Sequence, residues 1–193
     1  MNPIFQFPTY LLKRQVFALT GKFRIYDPQG NLVLFSEQKM FKLREDIRVY
    51  ADEEKSQEVL SIKARQIIDF SAAYDVVDTA YNQKVGTLRR KGWSSMLRDE
   101  WQVLDANDNQ IGVLFEDSIG LALLRRFLLG SWLPQNYDIT LGDTRVADLK
   151  QNFNLFRYEL NLDFSMDPAQ RLDRRLGIAA GILLAAVKGR QSN

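Results

Sequence analysis

The side chains best equipped for chemistry in this chain are basic. Lys84, Arg89, Arg90, Lys91 and Arg98 form its densest cationic group, with Trp93 among them. Cations beside an aromatic ring suit phosphate headgroups, because the charges hold the phosphate while the ring enters the interface. The same residues also fit a solvated strand end whose charge is offset by Asp99 and Glu100, since exposed ion pairs contribute little that is specific. A second candidate is acidic. In residues 105–116 (DANDNQIGVLFE), Asp105, Asn107, Asn109 and Glu116 fall at positions 1, 3, 5 and 12 of a calcium loop. Such a loop needs Gly at position 6, which here is Gln110, and Gly112 comes two residues late. Its flanks read as strands, so the segment is expected to be a polar hairpin turn and no metal is assigned. Asp52, Glu53 and Glu54 read as a solvated turn cluster.

Other chemistries are removed by composition. The chain has 193 residues and contains no Cys and no His. Disulfides, thiol nucleophiles, Cys/His zinc sites and every Ser-His or Cys-His dyad are therefore excluded. No GxxxxGK[ST], GxSxG or GxGxxG pattern occurs. No catalytic residue and no cofactor is assigned. The net charge of +2 gives no reason to expect nucleic acid as a partner. At 46% hydrophobic and 26% charged, the composition is that of a globular chain, long enough for one domain with a sizeable core. The start, Met1-Asn2-Pro3-Ile4-Phe5, has neither a secretory pattern nor a myristoylated Gly. The expected location is cytoplasmic.

Strands must position these side chains. Phe156, Tyr158, Leu160, Leu162 and Phe164 alternate with Arg157, Glu159, Asn161 and Asp163, which gives one apolar and one polar face. Tyr137, Ile139 and Leu141 repeat the pattern, as do Phe23 with Ile25 and Ile47 with Val49. About twelve strands are expected, near residues 15–19, 22–26, 31–36, 47–51, 57–65, 73–78, 84–91, 100–105, 110–116, 136–141, 144–150 and 156–164. Three hairpins share one form: a strand, a polar turn, then a polar residue followed by an aliphatic one. They are Tyr26-DPQGN-Leu32, Thr79-AYNQK-Val85 and Asp105-ANDNQ-Ile111. A weakly repeated hairpin favours a closed or nearly closed antiparallel sheet.

Two segments read as helices. Residues 118–129 (SIGLALLRRFLL) carry an apolar stripe of Leu121, Leu124, Phe127 and Leu128, suited to capping a barrel mouth or lying on a surface. Residues 168–188 form the second, with Asp167 as N-cap, Pro168 at the first helical position and Gly189 as the stop. From 176 to 187 (LGIAAGILLAAV) this helix is apolar on every face, which demands burial all round. A bilayer span needs about 20 apolar residues, and lengthening the run would bury Asp173, Arg174 and Arg175. A barrel of more than about eight strands leaves a lumen, and a helix slimmed by Ala179, Ala180, Gly181, Ala185 and Ala186 can fill it.

This pattern resembles the tubby C-terminal-like superfamily, and most closely its LURP-one-related branch, which also includes the phospholipid scramblases. The resemblance spans roughly residues 15–188. Its most specific piece is Val85-Gly86-Thr87-Leu88-Arg89-Arg90-Lys91, then Ser94 or Ser95, then Trp101-Gln102-Val103-Leu104-Asp105. A fainter echo runs from Val59 to Arg65 and from Ala73 to Asp78. The resemblance implies a twelve-stranded antiparallel β-barrel enclosing a hydrophobic C-terminal helix, and in tubby-like domains phosphoinositide binding by basic residues of the barrel surface. The chain lacks the Pro-rich, Cys-containing N-terminal region of scramblases. Asp163, Asp167 and Asp173 do not match the spacing of their acidic calcium segment.

The expectation is one barrel domain over residues 1–193 with a non-enzymatic binding or scaffold role. Its candidate anionic phospholipid site is Lys84, Arg89, Arg90, Lys91, Trp93 and Arg98, which would make it peripheral at membranes. A protein partner is the other expected contact. The alternative is a scramblase-like lipid-transport protein whose C-terminal helix inserts into the membrane.

Overall fold

In a computed structural model of the protein, residues 2–15, 20–39, 46–65, 72–91, 100–117, 135–152 and 157–188 are described. Twelve strands close into an antiparallel barrel. They are β1 (Thr9–Gln15), β2 (Thr20–Tyr26), β3 (Leu32–Lys39), β4 (Ile47–Tyr50), β5 (Glu58–Ala64) and β6 (Ala73–Asp78). β7 (Gln83–Arg90), β8 (Glu100–Leu104), β9 (Gln110–Glu116), β10 (Asn136–Leu141), β11 (Thr144–Asn152) and β12 (Arg157–Asp163) follow. Each strand pairs with its neighbours in sequence, and β1 pairs with β12 to close the ring, Thr9 opposite Asp163 and Gln15 opposite Arg157.

Alternation puts one residue in two inside. Leu12, Ile25, Leu34, Val49, Ile62, Val76, Leu88, Val103, Leu114, Ile139, Leu149 and Leu160 are buried from every strand in one cluster. The helix α1 (Arg174–Lys188) lies in the same cluster through Leu176, Ile178, Ile182, Leu183 and Leu184. It therefore fills the barrel from within. Its fit depends on glycine. A Cβ at Gly177 would stand 2.3 Å from Cε1 of Phe164, and one at Gly181 would stand 2.9 Å from Cδ2 of Leu162. These positions, one helical turn apart, let the helix backbone approach β12. On another wall, Gly86 of β7 makes room for Leu176: a Cβ there would be 3.0 Å from Leu176 Cδ1 and 2.4 Å from the Leu104 carbonyl oxygen.

The turns at residues 27–31, 51–57, 79–82, 105–109 and 142–143 share one rim, and α1 enters beside them after β12. Each of these hairpins carries a register shift, leaving Val33, Val59, Val85, Ile111 and Val146 as the extra residue on the second strand. The first four recur every 26 residues. Bulges raise local twist and are common at barrel rims, so this repeat curves the sheet towards closure. The hairpin form seen in the sequence is the trace of these bulges: its aliphatic residue is the bulged one at Val85 and Ile111, and in the first hairpin the bulge falls one residue after Leu32, at Val33.

Two sequence expectations need correction. The first strand is Thr9–Gln15, not residues 15–19, of which 16–19 lie outside the described residues. Leu11 interrupts the alternation of Tyr10 and Leu12, and β1 is defined by its long-range partners β12 and β2. The helix begins at Arg174, not at Pro168. Asp167 spends its carboxylate on the N–H groups of Arg171 (3.1 Å) and Leu172 (3.0 Å), and Gln170 has φ +51°, which ends any helical path there. Asp173 is the cap instead, accepting from the Arg175 N–H at 2.9 Å. The helix expected at residues 118–129 lies outside the described residues.

Candidate functional site

β7 carries most of the basic group, and its geometry divides that group. Lys84 lies at the turn end of the strand and Arg89, Arg90 and Lys91 at the other, about 20 Å apart at the usual rise of a strand. Lys84 belongs to a charge network on the outer wall. Its Nζ reaches Asp108 Oδ1 at 2.7 Å, and Arg65 holds Asp75 through two hydrogen bonds of 2.7 and 2.8 Å and Asp108 through one of 2.7 Å. Thr87 adds a hydroxyl to Asp75 at 2.7 Å. Hydrogen bonds from Lys84 and then Arg65 hold the Asp108 carboxyl well below the usual range. Asp75 is lowered too, since the hydrogen bonds of Arg65 and Thr87 outweigh the effect of burial. The network stitches β5, β6, β7 and the 105–109 turn. With its cations engaged by two carboxylates, it is a structural clasp.

The calcium-like loop is engaged in the same way. Asp105 turns its carboxylate to the N–H groups of Asn107 (2.8 Å) and Asn109 (2.9 Å) and to the Asn109 side chain (3.0 Å). Asp27 does the same with Gln29 and Asn31 in the first hairpin. Both are Asx turns. Glu116 is buried at the far end of β9, away from them. Among the described residues, no group of three or more Asp, Glu, His or Cys is placed to hold a metal ion.

At the opposite rim, successive residues face opposite ways. Arg89 follows the outward parity of Thr87. Arg90 follows Leu88 into the barrel, with its guanidinium 6.0 Å from the Trp101 ring centroid. Lys91 pairs with Glu100. The structure thus brings Arg89 and Lys91 to one stretch of outer rim and separates both from Lys84 and from the inward Arg90. Trp93 and Arg98 lie outside the described residues. A groove of about 620 Å³ crosses the outer wall between β2 and β11, lined by Lys13, Tyr26, Pro28, Lys150, Asn161 and Asp163 among others. Lys13 stands 5.2 Å from the Tyr26 ring centroid and Lys150 pairs with Asp148 at 2.7 Å.

Sequence reasoning missed the residues that seat α1. Arg174 is buried and donates to Asp167 Oδ2 (3.1 Å) and to the carbonyls of Asp167 (2.6 Å) and Phe164 (3.3 Å). Arg175 reaches Asp78 at 2.5 Å across 97 positions of sequence, and also binds Asp173. Cations at a helix N-terminus oppose its dipole, so these carboxylates are required partners. Nothing in local spacing pairs Asp78 with Arg175. No helix among the described residues is long and apolar enough to cross a membrane.

No curated protein and no solved structure matches the chain. A family model does: the LURP-one-related model matches residues 32–185, from β3 to the penultimate turn of α1. The match agrees with the resemblance carried by residues 85–105 and with the observed barrel and helix. The chain belongs to the LURP-one-related family.

Proposed function

We propose that this protein is a non-enzymatic binding module, acting as one domain over residues 1–193, that engages anionic phospholipid headgroups at the rim where β7 ends. The observation that carries this reading is the filled interior. Among the described residues, α1 packs against the inner faces of the strands and fills the middle of the barrel with the protein's own side chains, which favours ligands meeting the outer wall or the mouths. On that surface Arg89 projects outward beside Lys91. Arg89 has no ion-pair partner among the described residues, and such a cation is free to meet a phosphate. The network around Lys84 is excluded from this role because Asp75 and Asp108 hold it. Binding of this kind would place the protein in the cytoplasm, peripheral at a membrane.

Vesicle sedimentation tests the reading. The full chain is expected to bind phosphatidylcholine vesicles only when they contain phosphatidylserine or a phosphoinositide. Arg89→Ala with Lys91→Ala should weaken that binding by roughly fivefold per charge removed, at about 1 kcal/mol each. Unchanged binding by the double variant removes this rim from consideration, and no binding by the wild type removes the function.

A further inference from the structure

Arg14 is a buried cation with no counter-ion among the described residues. Tyr10, Leu12 and Arg14 are the buried residues of β1, so alternation turns Arg14 into the barrel, where only 3% of it is exposed. Its Nε has no hydrogen-bond partner among the described residues. Among the described residues no carboxylate lies within ion-pair distance, and its guanidinium is 5.9 Å from the Tyr158 ring centroid. Burial lowers the proton affinity of Arg14, the expected response of a desolvated cation, with Tyr158 opposing the shift. Buried charges in proteins are paired or bind an ion, and an unpaired one calls for an explanation.

Its neighbours supply a second observation. Arg14 is opposite Tyr158 on β12 and Phe23 on β2, and Phe23 is opposite Ser36 on β3. These four residues form one row across the inner wall. Ser36 is also buried, and its hydroxyl has no hydrogen-bond partner among the described residues. Two interstrand spacings, about 10 Å between Cα atoms, separate it from Arg14, a gap that a long guanidinium side chain and one small anion can bridge. The row lies at the mouth opposite the entry of α1. Gly177 meets Phe164 and Gly181 meets Leu162, so continuing along β12 places Tyr158 beside the last turns of the helix. The carbonyls of that end lack N–H partners and would be natural acceptors for Arg14, yet no hydrogen bond joins them to it among the described residues.

We propose that Arg14 and Ser36 form an oxyanion site on the inner wall at this mouth, taking phosphate, either free or as the phosphate group of a lipid. The guanidinium fork matches a phosphate through two parallel hydrogen bonds, and the hydroxyl adds a donor from a second direction. The site is distinct from the Arg89 surface at the same mouth: Arg14 faces inward on β1, while Arg89 faces outward on the opposite side of the ring.

Thermal unfolding of the full chain, in phosphate and in chloride at equal ionic strength and pH, tests the proposal. The wild-type Tm should rise saturably with phosphate, by about 5–10 °C at a hundredfold excess over Kd. Arg14→Met should abolish the rise and be at least as stable as wild type in chloride, because an apolar side chain replaces an unpaired buried charge. Ser36→Ala should leave the Tm in chloride unchanged and weaken phosphate several-fold. A rise with inorganic phosphate supports a free ion, and one seen only with phosphatidic acid vesicles supports a lipid source. A wild-type Tm equal in phosphate, phosphatidic acid and chloride overturns the site, as does Arg14→Met retaining the rise. Destabilisation of Arg14→Met by the same amount in both salts overturns it too, because it makes Arg14 a partner of the helix C-terminus. Should that variant fail to fold, unchanged phosphate affinity in Ser36→Ala overturns the two-residue site.

Discussion

Asp167 illustrates how much one buried carboxylate supports. Burial alone would raise its pKa, but the N–H groups of Leu172 and Arg171 and the Arg174 guanidinium together bring it below the ordinary value of 3.8. A carboxylate held low in the folded state stabilises the fold above its unfolded pKa, and that contribution is lost as pH falls through the folded value. Asp75 and Asp108 are shifted in the same direction. Stability should therefore be flat near neutrality and fall below about pH 4, which urea unfolding across pH measures. Asp167→Asn leaves Arg174 buried beside a weaker acceptor, and losing one partner of a buried pair costs about 3–5 kcal/mol. The variant should show that loss at pH 7 and a flatter acid limb than wild type. An acid limb of wild-type steepness in Asp167→Asn would mean that this pair is not what titrates. Of these contacts the sequence displayed little: Arg174 and Arg175 stood out as charges flanking an apolar run, but Asp78 is too distant in sequence to be linked to them.

At the scale of elements, α1 and β12 meet through small residues. Gly177→Ala would gain up to about 1 kcal/mol of helix propensity. Its new Cβ would, however, meet Phe164, a ring wedged among Tyr10, Arg174 and the helix. Overpacking of this kind costs about 1–3 kcal/mol, so a net loss is expected by chemical denaturation, and a stabilised variant would show that Phe164 yields freely. Strand periodicity is legible in the sequence because most interior positions are apolar and most exterior ones polar. Eleven of the strands fall close to their expected places. The exception, β1, carries Leu11 on its outer face and Arg14 on its inner one, so its pattern is inverted at both places. The bulges were visible only as a polar-aliphatic signature after each turn. That Val33, Val59, Val85 and Ile111 are extra residues depends on what their partner strands present.

For the whole molecule, barrel and helix are one core. Leu176, Ile178, Ile182, Leu183 and Leu184 are each almost completely buried, and every such side chain contributes about 1.5–3 kcal/mol. Their sum is on the order of 10 kcal/mol, comparable to the whole stability of a typical domain, about 5–15 kcal/mol. A chain ending at residue 167 should therefore lose its cooperative thermal transition and expose apolar surface to a dye such as ANS. A truncated chain that melts cooperatively near the wild-type Tm would contradict the central role of α1.

The sequence alone determined the closed antiparallel architecture, the all-apolar helix and the absence of thiol and imidazole chemistry. These are properties of composition and period, which each segment carries by itself. Only the tertiary structure decided which cations are spent and which are free. Lys84 is held by Asp75 and Asp108, Arg90 turns inward over Trp101, Arg89 stays on the rim, and Arg14 is enclosed with no carboxylate beside it among the described residues. The availability of a charge depends on what lies across the sheet and across the barrel, and closing the ring of strands sets those neighbours.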